Sequence, residues 1–398
     1  MAEKLSFSII GDITLELRQL LNEFEQIRHV EIDVIHMAWE NAWAQLLTYA
    51  LQGKGPDISH VGSTWVSSLV TMNSVREFSQ REVDTLGGAQ VFTAPAWQSA
   101  TLQGDPRVWA IPWSSFTFLV HYRRDHLETA KIDAQEAFDT PEAILETIRK
   151  LRESGFHSPI VLPSGKPYLD RVHLASSWVW GAGGNFLNED GRQVLLTSAD
   201  TRQGLRSFFE LYRLMSPDDF GLSYEETLDR FRKGEISVVL ADCGFPAVLA
   251  QESPELVAIT GVHPLPGVPF VSGDNLVIWQ ATRQYPAREH LALELVSFLV
   301  SRSAQSRFCQ SMEQFPVRHD ALDGLRCENE QLVPVLRETF ETGRAHKSVQ
   351  LWTRFEQQLG QAFDEITANV ISENNLPVDS ILEIHLSQLQ HRFSLLIG

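Results

Sequence analysis

The chain has 398 residues, too many for one ordinary domain and about right for two large lobes. Hydrophobic residues at 43% and charged residues at 21% make a globular composition, and no unbroken apolar run nears the roughly 20 residues of a membrane helix. With 33 basic against 51 acidic residues, the net charge of -18 repels phosphate backbones and no basic patch offsets it, which argues against nucleic acid as a partner.

Met1-Ala2-Glu3-Lys4 runs straight into a strand-like segment, without the charged region, apolar stretch and cleavage site of an export signal, so none is expected in this chain. Leu5 to Ile10 reads as a strand. After Gly11-Asp12 come Leu17, Leu20, Leu21, Phe24 and Ile27 at helical spacing, with Asp12 a candidate helix cap. The pattern repeats: Val30 to Ile35 is strand-like, Trp43, Leu46, Leu47, Ala50 and Leu51 share a helical stripe ended by Gly53, and Asp57 to Val61 forms a third strand. Alternating strands and helices predict a mostly parallel sheet covered on both faces, making the first lobe α/β.

Farther on, Phe116 to Tyr122 is a long apolar run, and Thr140-Pro141-Glu142 opens a capped helix. Asn188-Glu189-Asp190-Gly191 signals a hairpin, Ser198 caps a helix carrying Leu205, Phe208, Phe209 and Tyr212, and Glu235 to Ala241 is another buried strand. The breaker cluster His263-Pro264-Leu265-Pro266-Gly267 precedes a strand at Asn275 to Trp279 and a helix at Leu291 to Val300. From about Gln331 onward the pattern is helical, with Val349, Trp352, Phe355, Leu359, Phe363 and Ile366 on one stripe. Lobe crossings are expected near Ser114 and Gly267. The first lobe then comprises 1–113 plus about 268–322, and the second about 114–267 plus about 323–398. Cys243, Cys309 and Cys327 permit at most one disulfide.

In open α/β sheets, ligands bind beyond the carboxyl ends of the strands. The exits here read Gly11-Asp12, Trp39-Glu40-Asn41, Gly62-Ser63-Thr64-Trp65, Trp113-Ser114-Ser115 and Asp242-Cys243-Gly244-Phe245. Small or polar groups beside large aromatics suit a sugar, which shows C–H faces and a rim of hydroxyls. Trp39, Trp65, Trp113 and Phe245 are candidate platforms, although core packing competes with contact for each. Trp178 and Trp180 share a face if extended and diverge if helical. No G-x-S-x-G, H-E-x-x-H, P-loop or G-x-G-x-x-G motif occurs, and the thirteen histidines form no metal pattern, so neither catalysis, a metal nor a cofactor is expected.

Gly55-Pro56-Asp57-Ile58 with Val61-Gly62-Ser63-Thr64-Trp65-Val66 resembles the extracellular solute-binding proteins of carbohydrate ABC transporters, the group that includes maltose-binding protein. Ala110-Ile111-Pro112-Trp113, His121-Tyr122-Arg123-Arg124-Asp125, Phe231-Arg232-Lys233-Gly234-Glu235, Ser272-Gly273-Asp274-Asn275-Leu276 and Phe315-Pro316-Val317-Arg318 follow in the family's order. The resemblance implies a type II periplasmic-binding-protein fold, two α/β lobes joined by crossing hinge strands with a ligand cleft that closes. It implies a monomer outside the cytoplasm that presents a mono- or oligosaccharide to membrane permease subunits. Carried over by position, Asp12, Trp39, Glu40, Ser63, Thr64 and Trp65 stand as first-lobe contacts, with Asp274 and Asn275 on a returning segment. Trp178, Trp180, Asp242 and Phe245 stand as second-lobe contacts, and Trp352 resembles a late-helix stacking aromatic. Phe116-Thr117-Phe118 and Phe245-Pro246 depart from the family pattern. A cytoplasmic or sensor-associated sugar receptor, a carbohydrate-active enzyme, or a site for a polyamine, metal-bound anion or peptide are the alternatives.

Overall fold

The computed structural model describes residues 3–11, 13–165, 167–311, 314–325, 329–346, 349, 352–373 and 375–397. The chain forms two compact units, one of Met1–Phe116, Val271–Arg326 and Ala345–Thr353, the other of Thr117–Phe270, Cys327–Arg344 and Arg354–Gly398. Among the described residues the strands are β1 (Lys4–Ile10), β2 (Glu31–Met37), β3 (Ile58–Gly62), β4 (Thr101–Leu102), β5 (Asp105–Val108), β6 (Ile111–Arg123), β7 (Ile160–Val161), β8 (Val238–Asp242), β9 (Thr260–Pro264) and β10 (Val271–Ile278).

In the first unit the strand order is β2-β1-β3-β10, followed by the first part of β6. β1 lies parallel to both β2 and β3, as the strand–helix alternation requires. β10 does not follow that rule: it returns from far along the chain antiparallel to β3, pairing Asp274 with Gly62. The sheet is therefore mixed rather than mostly parallel. Leu5, Phe7, Ile9 and Ile10 have no exposed surface, as expected for a strand covered on both faces.

The first helix, Leu15–Arg28, is capped by Thr14, whose side chain accepts the Leu17 N–H, so the cap expected at Asp12 belongs to Thr14; Asp12 itself lies outside the described residues. Leu17, Leu20, Leu21 and Phe24 are buried, whereas Ile27 is exposed, because at 100° per residue it falls roughly 70° from the centre of the apolar stripe. Leu51 is likewise exposed, since it lies about 140° around the helix Trp39–Gln52 from buried Leu46.

The Gly55-Pro56-Asp57 motif fastens the entry end of these strands. A Cβ on Gly55 would lie 2.4 Å from the Trp279 indole, so only glycine lets that ring close over the backbone. The Asp57 carboxylate accepts both the Ser6 N–H and the Ser6 hydroxyl at 2.9 Å, tying the start of β1 to the residue before β3. The motif thus acts at the end of the sheet opposite the strand exits.

In the second unit the latter part of β6 pairs antiparallel with β8 and β9, and β8 pairs parallel with β7. His263-Pro264 belongs to β9 instead of a turn; Pro264 is tolerated because β9 is an edge strand paired, among the described residues, only with β6. Helix Asp170–Gly181 is buried from Arg171 to Trp180 and packs on helix Ala199–Arg213, capped by Ser198. Gly204 permits the approach, because a Cβ there would lie 2.5 Å from Val179 Cα. Phe355, Leu359, Phe363 and Ile366 of helix Trp352–Ser372 are buried as their spacing predicts. Cys243 and Cys309 are both buried.

Candidate functional site

Parallel pairing places the exits of β1, β2 and β3 at one edge of the first unit. There the chain turns through Gly11, with φ +83°, and its N–H donates to Met37 O at 3.0 Å. Trp39 begins the next helix and is 46% exposed, the largest open aromatic surface among the predicted contacts. Its ring meets Trp65 edge-on at 5.8 Å, and Trp65 meets Trp43 at 5.6 Å. Sequence reasoning placed Trp43 on the buried stripe and missed this link. Glu40 is exposed beside Trp39 in the first helical turn.

The 3-10 turn Ser63–Trp65 sets Trp65 against this cluster. Ser63 is buried and shares a 2.9 Å hydrogen bond with Ser272, while Thr64, half-buried, offers its carbonyl to the Thr353 hydroxyl at 3.3 Å. Antiparallel β10 brings Asp274 to the same edge, where its carboxylate accepts the Ser114 hydroxyl at 3.1 Å and Gln314 Nε2 at 3.2 Å. His60, absent from the predicted set, lies with Nε2 3.3 Å from Asp274.

Other predicted contacts are packing residues. Trp113 has no exposed surface and stacks on Phe308 at 4.2 Å, with Phe7 on its edge. Asn275 is fully buried and exchanges hydrogen bonds with Ser99. Trp352 is buried, with His346 stacked on it at 4.1 Å. An aromatic or amide in an exit motif still faces inward where strand alternation points it at the core.

In the second unit, the exit of β8 carries Asp242. Its carboxylate accepts the Tyr224 hydroxyl at 2.7 Å and the Gly244 N–H at 2.9 Å, while the Tyr224 oxygen accepts the Asp242 N–H at 3.0 Å. Tyr168 stacks on Tyr224 at 5.5 Å. Burial, then the Asp242 charge on Tyr224 and the Asp170 charge on Tyr168, hold both phenols well above the usual tyrosine range, so they remain hydrogen-bond donors at neutral pH. Both tyrosines were missed because they stand on a loop and a helix distant in sequence from β8. Pro167-Tyr168 following the short β7 was the available signal.

Phe245 is buried between His121, edge-on at 5.2 Å, and Phe231. Trp178 and Trp180 are helical and diverge: Trp178 packs on Phe208, and Trp180 lies under the Arg344 guanidinium at 4.9 Å. Neither is an open platform, because the helix that carries them is sealed into the unit's core.

Arg171, 1% exposed, braces the loop carrying Tyr168. It donates to Tyr212 Oη and Pro163 O, both at 2.9 Å, and pairs with Asp364. Two residues on, His173 donates to Asp170 and Glu356, each at 2.9 Å, and stacks flat on Phe270 at 4.5 Å. Burial disfavours its charge, but these two carboxylates outweigh burial and raise its pKa to about 10.

No group of three or more His, Cys, Asp or Glu among the described residues is arranged to hold a metal ion, and no helix among them is long and apolar enough to cross a membrane. Residues 19–332 match the model of a family described as bacterial extracellular solute-binding protein. In fold, the chain is similar to the sugar-binding protein MalE from Xanthomonas citri, with 18% identity, TM-score 0.84, and 99% and 97% of the two chains covered. It is also similar to maltose-bound MalE3 of T. maritima, at 20% identity and TM-score 0.79 over 98% and 100% of the chains. A solute-binding protein of an ABC transporter from Thermotoga lettingae, bound to α-D-tagatose, matches at 16% identity and TM-score 0.80 over the whole of both chains.

Proposed function

Since the chain belongs to the bacterial extracellular solute-binding proteins, which bind ligands and are not enzymes, we propose that it captures a carbohydrate for delivery to the permease of an ABC importer. The observation that carries this reading is the open face of Trp39, set against Trp65 at the strand exits of the first unit. A sugar ring lays its C–H face on such an indole, and exposed Glu40 beside it accepts hydroxyls. The Asp242–Tyr224–Tyr168 cluster belongs to the second unit by itself, where the Tyr224 proton is already given to the Asp242 carboxylate.

Solved proteins of similar fold carry maltose, tagatose and ribitol, which supports polyhydroxylated ligands as the class. A polyamine fits less well. Asp242 and Asp274 already spend their carboxylates on Tyr224, Gly244, Ser114 and Gln314, leaving Glu40 as the open acid among the described residues of the predicted set. The working form is a monomer outside the cytoplasm.

The test is a thermal-shift and tryptophan-fluorescence panel of monosaccharides, malto-oligosaccharides, polyols and spermidine. A saturable response to a neutral sugar or polyol supports the proposal, and Trp39→Ala should weaken that binding by about tenfold, ~1.4 kcal/mol, with little change in Tm. A response to spermidine alone, or to no polyhydroxylated compound, refutes it.

A further inference from the structure

The geometry points to His60 as the positioning residue of the ligand face in the first unit, acting through the β1 exit and Trp39 without itself offering surface to a ligand. His60 is 3% exposed and stands in β3, where the rungs between β1 and β3 run only through Phe7–Ile58 and Ser8–Ser59. Beyond Ser8 the N–H of Ile10 has no backbone acceptor on β3, and His60 Nδ1 accepts it at 3.2 Å. A side chain thus supplies the missing rung at the last residue before the Gly11 turn.

Because Nδ1 accepts, the ring proton is on Nε2, which faces Asp274 Oδ1 at 3.3 Å. The imidazole is thereby bonded to β1 at Nδ1, while the Asp274 carboxylate of β10 lies close to Nε2 without the alignment of a hydrogen bond. Its faces and edges are engaged too: Trp39 meets it at 5.9 Å with an interplanar angle of 86°, and Trp113 at 5.0 Å and 82°. Trp113 is in turn fixed by its stack on Phe308.

The Gly11 turn completes the linkage. A Cβ placed on Gly11 would lie 3.3 Å from Trp39 Nε1, so the backbone at this turn is one wall of the seat in which the indole rests. The other wall is His60 itself. A shift of Ile10–Gly11 releases the exposed Trp39 ring, and the platform then samples several orientations, a loss of preorganisation that weakens any ligand stacked on it. Trp39 is the only one of these rings with a large open face; His60 and Trp113 are buried behind it.

Two substitutions separate the two ends of the imidazole. His60→Asn puts an amide oxygen close to the Nδ1 position and keeps the Ile10 rung; His60→Gln reaches toward Asp274 and gives the rung up. The protein is labelled with 5-fluorotryptophan and the Trp39 resonance is assigned by its disappearance in Trp39→Phe. The line of Trp279, buried in the same unit at the entry end of the strands and without a ring contact to His60, reports whether each variant is folded. His60→Asn should leave the Trp39 line within its original width, whereas His60→Gln should shift or broaden it while the Trp279 line stays in place. An unmoved Trp39 line in folded His60→Gln, or equal disturbance of the Trp39 line in both variants, overturns the assignment. In the unsubstituted protein, imidazole 15N shifts must show the Nε2–H form with Nδ1 as acceptor; the opposite tautomer also overturns it, whether or not the variants fold.

The binding arm rests on the carbohydrate reading. With the sugar or polyol that responds in the panel, His60→Gln should bind about tenfold more weakly and His60→Asn within about threefold of the parent. Failure of every panel compound sinks the carbohydrate reading alone, since the fluorine spectra decide the role of His60 without any ligand.

Discussion

Replacing His173 by leucine removes a cation from between two carboxylates in the second unit. Glu356 is 2% exposed, so His173→Leu leaves its charge buried beside an apolar side chain, and Asp170 loses the same partner. Breaking a buried pair from one side costs about 3–5 kcal/mol. For a unit of this size each kcal/mol moves Tm by roughly 2–4 °C, so a loss of about 6–20 °C is expected by calorimetry at pH 7. The pH dependence gives an independent reading. The folded pKa of His173 is raised from 6.5 to about 10, so its contribution is complete below about pH 6.5, declines as pH rises, and is gone above about pH 10. The stability gap between the parent and His173→Leu should therefore narrow from pH 6.5 to pH 10. Adding Glu356→Gln removes the stranded charge, so the double variant should be more stable than the sum of the two single changes implies. A gap that does not change with pH, together with additive losses, would refute the charged clasp.

Other outcomes follow from packing alone. Trp113→Ala should cost about 3–5 kcal/mol of stability in urea denaturation, because the side chain is fully buried against Phe308 and Phe7, in contrast to the small stability effect expected at exposed Trp39. Gly273→Ala puts a methyl group 2.0 Å from Ser114 O, so β10 must move off β6; about 1–3 kcal/mol or more should be lost, seen as faster amide exchange along β10.

Local signals made much of this architecture legible. Thr140, Ser198 and the stripe from Phe355 to Ile366 sit where capping chemistry and helical spacing put them. What escaped depends on residues far apart in the chain. Nothing near Asn275 says that β10 will run antiparallel to β3, and that pairing is what delivers Asp274 to the strand exits. Tryptophan identity was equally ambiguous: Trp39, Trp113 and Trp178 carry the same apolar ring, and only the tertiary environment decides which one faces water. Tyr168 and Tyr224 reach Asp242 from separate segments, and His60 looked like one more strand residue until the missing β1–β3 rung showed what it replaces.

The order in which these pieces occur in the chain bears on how the protein is made. The first unit is begun by residues up to Phe116, but its β10, which lies between β3 and β6, starts only at Val271. On a ribosome, β3 waits for that neighbour while the whole stretch Thr117–Phe270 emerges, and the half-built sheet keeps the open flank of β3 for that time. The inserted stretch lacks the late helix Trp352–Ser372, which supplies Glu356 to His173 and Asp364 to Arg171. Neither unit is complete until segments from both ends of the chain have emerged.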